Sequence, residues 1–258
     1  MNLLRELYDY RTMITSLVKK NLKSRYKGSV LGFLWTFLIP LLQLVVYTLV
    51  FSLIMKTAYE KYYLFLFVAL IPWVFFSSSI TEGTGVICTN KDLVNKIYFP
   101  REVLPISHVS YLFVNMLLSF IVVLGVILVT GHGFNPVALL FLPIVMIVEY
   151  FLALGITMLL SALNVYFRDL EYIMGIVMMA WQFLSPVMYD TDIVPENLLV
   201  IFNLNPMSPI IQCYRDILYY KRIPTISTLG ISVLVGVVFL IIGTIVFGKL
   251  KKRFSEAL

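Results

Sequence analysis

Long apolar runs alternate with short polar segments from residue 28 to the end of the chain. Side chains without charge fill 28–55, 62–81, 103–148, 150–167, 172–189 and 223–248. A helix needs about 20 apolar residues to cross the hydrocarbon core of a bilayer. The run 103–148 is long enough for two crossings, and Thr130, Gly131, His132, Gly133, Phe134, Asn135 and Pro136 supply the turn between them. The fourth crossing then starts near Val137, carries Glu149 and ends near Leu163. The pattern predicts an all-α polytopic membrane protein with six transmembrane helices.

Residues 1–27 follow a different period. Leu3, Leu4, Leu7, Tyr10, Ile14, Leu17, Val18 and Leu22 recur at spacings of three and four, and Lys19, Lys20, Lys23 and Lys27 crowd the second half. This predicts an amphipathic helix lying in the cytoplasmic headgroup region with its apolar stripe in the lipid. The segment is too polar, and the span after it too long, for a cleavable signal peptide. The chain is thus expected to comprise an interface helix over 1–27 and a six-span domain over 28–258. Within that domain fall a loop at 90–101, a longer segment at 190–222 and a basic tail at 249–258.

Composition agrees with membrane residence: 60% of residues are hydrophobic, 13% are charged, and mean hydropathy is +0.92. Basic residues set the orientation. With the N-terminus in the cytoplasm, 15 of the 20 lysines and arginines fall in cytoplasmic segments, leaving Lys56, Lys61, Arg215, Lys221 and Arg222 outside. That bias places both termini inside. The net charge of +6 therefore faces anionic headgroups, and no compact basic domain is present to hold nucleic acid.

Several motif fragments fail on chemistry. Residues 243–250 fit most of a phosphate-binding P-loop, but Leu250 stands where Ser or Thr must hold magnesium. The chain is not expected to bind ATP itself. Asp190 and Asp192 resemble the metal-holding aspartates of glycosyltransferases, yet they fall outside, and a membrane-bound sugar transferase would need an acidic cluster in the cytoplasm. Cys88 and Cys213 lie on opposite sides in this topology and have no metal-ligand spacing; His108 and His132 are isolated from each other and from any carboxylate cluster. No metal site is expected.

The polar segments are more informative. Asn90 to Arg101 is long enough for a two-turn helix along the membrane surface, and its mixture of aromatic and basic residues suits docking into a partner. In 190–222, two apolar or amphipathic stretches, 198–202 and 210–220, flank Asn203, Asn205, Pro206 and Pro209. Such a sequence predicts a re-entrant hairpin in the outer half of the membrane before the sixth span.

Four motifs, spaced along the whole chain in order, carry a resemblance. They are Arg25-Tyr26-Lys27-Gly28-Ser29-Val30-Leu31-Gly32-Phe33-Leu34-Trp35, Lys96-Ile97-Tyr98-Phe99-Pro100-Arg101-Glu102-Val103-Leu104-Pro105, Leu163-Asn164-Val165-Tyr166-Phe167-Arg168-Asp169-Leu170 and Asn205-Pro206-Met207-Ser208-Pro209. The sequence resembles the permease subunits of ATP-binding-cassette exporters for O-antigen, capsular polysaccharide and teichoic acid; Phe33 departs from the proline that many members carry. The resemblance implies a homodimeric channel in the bacterial cytoplasmic membrane. Each copy would dock one separate nucleotide-binding subunit, which holds the ATP and magnesium, and the permease would need no cofactor. It further implies that Asn95, Lys96, Tyr98, Phe99 and Arg101 form the coupling region, with Arg168 and Asp169 in a second cytoplasmic turn.

A glycan cannot cross lipid unaided, because burying one unpartnered hydroxyl costs roughly 4–8 kcal/mol on the cyclohexane scale. Aromatic rings suit a sugar path, and Trp73 and Phe76 share one helical face, with Phe75, Trp35 and Trp181 as further candidates. For a lipid-linked substrate, Arg25 and Lys27 stand where the carrier's anionic headgroup would sit. Glu82 and Glu149, costly inside a membrane, sustain the alternative of a proton-coupled secondary carrier or lipid flippase.

Overall fold

The computed structural model describes residues 3–25, 28–50, 61–190, 195, 202 and 204–257. Among them the chain is helical throughout, with no strand. The leading segment forms α1 (Leu3–Asp9) and α2 (Arg11–Arg25), followed by α3 (Trp35–Thr48). Next come α4 (Tyr62–Thr84), two short helices, α5 (Val86–Thr89) and α6 (Lys91–Lys96), and α7 (Val103–Val129). A turn and the short α8 (Pro136–Leu139) lead into α9 (Leu142–Asn164), then α10 (Leu170–Phe183), α11 (Met207–Leu218) and α12 (Ile226–Leu250).

Among the described residues, four helical stretches are long and apolar enough to cross a membrane: Tyr62–Thr84, Val103–Val129, Pro136–Asn164 and Ile226–Arg253. The first and fifth expected spans appear as α3 and α10, apolar helices of 14 residues each. At 1.5 Å per residue, 14 residues reach about 21 Å, short of the hydrocarbon thickness of about 30 Å. The stretch that would extend α3, residues 51–60, and most of the first arm of the expected hairpin, 198–201, lie outside the described residues.

α4 is the centre of the bundle. It packs against α3, α7, α9, α10 and α11, and along 62–76 its side chains are apolar on all sides, as suits a helix surrounded by protein. α12 is the opposite case. Only Ser232, Gly236, Gly243 and Phe247 are buried, one stripe of a helix otherwise turned outward. That stripe lies on α9, where a side chain on Gly243 would collide with the Gly155 backbone and one on Gly236 would lie 3.2 Å from Val148 O. Small residues here let two backbones approach closely, the usual device for helix association where lipid supplies no hydrophobic drive.

α11 is buried along most of its length against α4, α9 and α12. The Tyr214 hydroxyl donates to Glu149 Oε2 at 2.6 Å, and its ring stacks 5.5 Å from Phe120. Arg215, also buried, donates to the Tyr189 and Val187 carbonyls at 2.9 and 2.8 Å and lies 3.7 Å over the Phe65 ring. Asn205 joins α11 to the end of α10: it accepts from Trp181 Nε1 at 3.0 Å and donates to Leu184 O and Ser185 Oγ. The Asn-Pro motif is therefore a local hydrogen-bond hub.

The two ends of the bundle differ in chemistry. At one end gather α2, α5, α6, the turn after α9 and the end of α12, with Lys91, Lys96, Arg101, Arg168 and Lys251. We term this the basic end. At the other, Lys61 donates to Thr130 O, His132 pairs with Tyr219 O at 2.8 Å, and Lys221 donates to His132 O. The leading segment departs from expectation. It is two helices, and Leu7, Tyr10, Ile14, Leu17, Val18 and Leu22 pack against the protein core, mainly along α7, rather than pointing away from it.

Candidate functional site

Three features meet at the basic end: a polar cleft beneath α2, an exposed aromatic surface, and a buried joint connecting the two turns. Gly28 and Gly32 open the route to the first of these. Both have left-handed backbone, with φ of +85° and +47°, which glycine adopts without strain. They turn the chain from α2 into α3, and Trp35, at the start of α3, is pinned by its Nε1 donating to Ser29 Oγ at 2.8 Å.

The cleft has a volume of about 550 Å³ and lies between α2, the α4–α5 junction and the start of α7. Arg25 and Lys20 face it from α2, Glu82 from α4, and His108 and Tyr111 from α7. The Tyr111 hydroxyl donates to Glu82 Oε2 at 2.6 Å, and His108 Nε2 lies 4.0 Å from the same oxygen. From sequence His108 stands apart from any carboxylate cluster, and the fold gives it one carboxylate neighbour. Antiparallel packing of α4 on α7 brings it beside Glu82, 26 positions earlier, a juxtaposition that spacing within one helix does not reveal. Lys27, expected beside Arg25, lies outside the described residues.

The coupling residues divide into two groups. Tyr98 is 86% exposed, and Asn95, Lys96 and Ile97 are exposed with it. Phe99 is 2% exposed and belongs to the core. Arg101 is half-buried, and the neighbouring Glu102 is buried against Lys251 at 2.5 Å. In the second turn Arg168 and Asp169 are exposed, together with Phe167 and Tyr172 at 68% and 78%. A groove of about 670 Å³ runs beside them, bounded by Tyr166 and Ala257. Large rings are thus exposed on this basic surface.

The joint was not legible from residue types. Asn164 Nδ2 donates to Cys88 Sγ at 3.8 Å, the Cys88 thiol donates back to Asn164 O at 3.9 Å, and Asn164 Oδ1 accepts from Glu171 N at 3.2 Å. The Glu171 carboxylate lies over Gly85, where an added Cβ would come within 2.5 Å of its Oε2. Burial, chiefly, raises the Cys88 thiol above its ordinary pKa, with Arg168 opposing and Glu171 adding to the shift. Asn164 thereby ties the segment before α6 to the start of α10.

The proposed sugar-path residues also separate. Trp73 and Phe76 are 2% and 0% exposed, packed at 5.8 Å from each other, and Phe76 meets Trp181 edge-on at 5.6 Å. Trp73 and Phe76 are thus enclosed by other helices, while Trp181 is partly buried. Trp35 and Phe75 instead border a cavity of about 60 Å³ between α3, α4 and α7, room for about two waters. Glu82 and Glu149 each have their own tyrosine partner, Tyr111 and Tyr214, on different helices.

The family described as ABC-2 type transporter matches residues 12–219. The chain is 36% identical over 263 residues to the O-antigen export system permease protein RfbA of Myxococcus xanthus, covering 100% of both chains. It is 33% identical to the protein of the same name from Klebsiella pneumoniae, covering 98% of this chain and 96% of that one. The polysialic acid transport protein KpsM of Escherichia coli is 24% identical over 80% of this chain and 81% of its own length.

Proposed function

The chain belongs to the ABC-2 type transporter family, and on that premise we propose that it is the membrane subunit of an ATP-driven exporter of a lipid-linked polysaccharide. Two copies form the conduit across the bacterial cytoplasmic membrane, with six spans and a re-entrant segment in each, and both termini in the cytoplasm. Each copy docks a separate ATPase subunit that holds ATP and magnesium. The full-length likeness to O-antigen export permeases carries this reading.

The basic end supplies what the partnership needs. Tyr98 and the exposed residues around it offer ring faces and charge to the ATPase, and the second turn with Phe167, Arg168 and Asp169 extends that surface. The Asn164 joint ties the two segments, so a push on one reaches α4, α5 and α10 together. The carrier's anionic headgroup approaches from the inner leaflet, where Arg25 and Lys27 attract it by about 1 kcal/mol each near the surface. Trp35 and Phe75 are the ring candidates nearest an opening. Trp73, Phe76 and Trp181 hold the helices behind them unless the bundle opens during export.

Genetic replacement tests the reading. A strain lacking this chain accumulates glycan inside the cell, and the wild-type gene restores it to the surface only when the partner ATPase retains its catalytic residues. Surface glycan restored alongside an inactive ATPase would reject the proposal.

A further inference from the structure

Beneath α2, one atom has no partner in a site otherwise rich in them. His108 Nε2 is buried without a hydrogen bond, and the residue as a whole is 8% exposed. A buried polar atom left unpaired costs about 1–3 kcal/mol, and such atoms commonly mark a ligand or water position. His108 is one of the residues bordering the 550 Å³ cleft. Beside it the Glu82 carboxylate, its side chain 44% exposed, is oriented by the Tyr111 hydroxyl. Arg25 and Lys20 line the same cleft, and the Arg25 side chain hydrogen-bonds Tyr111.

The two signs of charge narrow the ligand class. A phosphate alone is drawn to Arg25 and Lys20 but repelled by Glu82, so a plain anion site would be better built without the carboxylate. An ionised carboxylate only accepts hydrogen bonds, whereas a histidine ring nitrogen takes either role according to its tautomer. Together they suit the hydroxyls of a sugar. Cations and hydroxyl acceptors brought together in one cleft fit a sugar bearing a phosphate.

We infer that the cleft between α2, α4 and α7 recognises the phosphate-linked first sugar of the exported glycan, Glu82 and His108 reading its hydroxyls while Arg25 and Lys20 hold the phosphate. This rests on the exporter reading above and adds to it a specificity element within the permease. Glu82 is then a recognition group, and its tyrosine partner positions it.

The test is binding to the purified permease–ATPase complex in nanodiscs. The probes are farnesyl pyrophosphate and its esters with N-acetylglucosamine, galactose and glucose. The wild type should bind at least one ester about tenfold more tightly than bare farnesyl pyrophosphate, equivalent to about 1.4 kcal/mol. Glu82→Gln and His108→Gln should each erase that preference while leaving affinity for the bare pyrophosphate within about twofold, and Arg25→Ala should weaken every probe. Thermal unfolding of each variant confirms that a folded complex is compared. A wild type that binds no probe or binds all alike, or a preference that survives in both Glu82→Gln and His108→Gln, would overturn the inference. So would displacement of esters and bare pyrophosphate alike by phosphatidylglycerol in the nanodisc, which would make the cleft a lipid anchor. A preserved sugar preference in a complex whose export needs no ATP would strike the exporter reading and leave the cleft standing.

Discussion

Lys251 Nζ and Glu102 Oε1 meet at 2.5 Å across 149 positions of chain, joining the end of α12 to the start of α7. Glu102 directly follows the coupling motif, and its side chain is only 2% exposed. Beside this pair the Tyr166 hydroxyl donates to Leu250 O at 3.0 Å. The C-terminal end of the last long helix is thus fastened to both turns of the basic end.

Removing Lys251 should leave a buried carboxylate without its cation. Because Lys251 is partly exposed, the cost should fall below the 3–5 kcal/mol of a fully buried pair, at about 2 kcal/mol. Lys251→Ala should therefore lower the unfolding temperature in detergent, and adding Glu102→Gln should recover part of the loss. A double mutant as unstable as the sum of the single ones would show that the two side chains do not interact.

The joint can be locked chemically. In Asn164→Cys the new thiol falls beside native Cys88, so mild oxidation should form a bond within one chain. Since burial raises the Cys88 thiol, the reaction should be slow near neutrality and faster at alkaline pH, where more thiolate is present. Export should fall on oxidation and return with reductant, while the ATPase continues to turn over. Full export from the oxidised protein would remove the joint from the coupling route.

Tyr98 and Phe99 are adjacent yet should fail differently. Tyr98→Ala removes an exposed ring and should weaken assembly with the ATPase without changing thermal stability. Phe99→Ala empties a core position and should cost about 3–5 kcal/mol of stability. Co-purification and unfolding curves on the two single variants separate these outcomes. Equal loss of stability in both would place Tyr98 in the core as well.

The long helices were legible because apolar runs specify their length: α7 lies within its run, α4 and α12 end two or three residues past theirs, and α9 carries Glu149 between two runs. What residue type could not reveal was which neighbour each face meets. Trp73 and Phe76 read as path residues by chemistry, but α4 is central, so its rings pack against other helices. Glu149 gained a partner only when α11 delivered Tyr214, 65 positions later. Phe99 and Tyr98 look alike in sequence, and one turn of backbone divides core from surface. The cleft beneath α2 needed three separate segments to assemble before His108 and Glu82 became neighbours.

Orientation follows from charge and is directly measurable. Single cysteines replacing Lys96, Arg168 and Lys251 should resist an impermeant reagent applied outside the cell. Cysteines replacing Lys61 and Asn197 should react. Labelling at position 96 from outside would invert the arrangement.

The central claim is that ATP hydrolysis by a partner drives a lipid-linked glycan through this chain. It is tested most directly by reconstituting the permease with its ATPase in sealed vesicles and following glycan into the lumen. Translocation should require ATP on the ATPase side, stop with a catalytically inactive ATPase, and persist after a protonophore collapses any pH gradient. Translocation by the permease alone, driven by a pH gradient and lost in Glu82→Gln or Glu149→Gln, would contradict the account and establish a proton-coupled carrier instead.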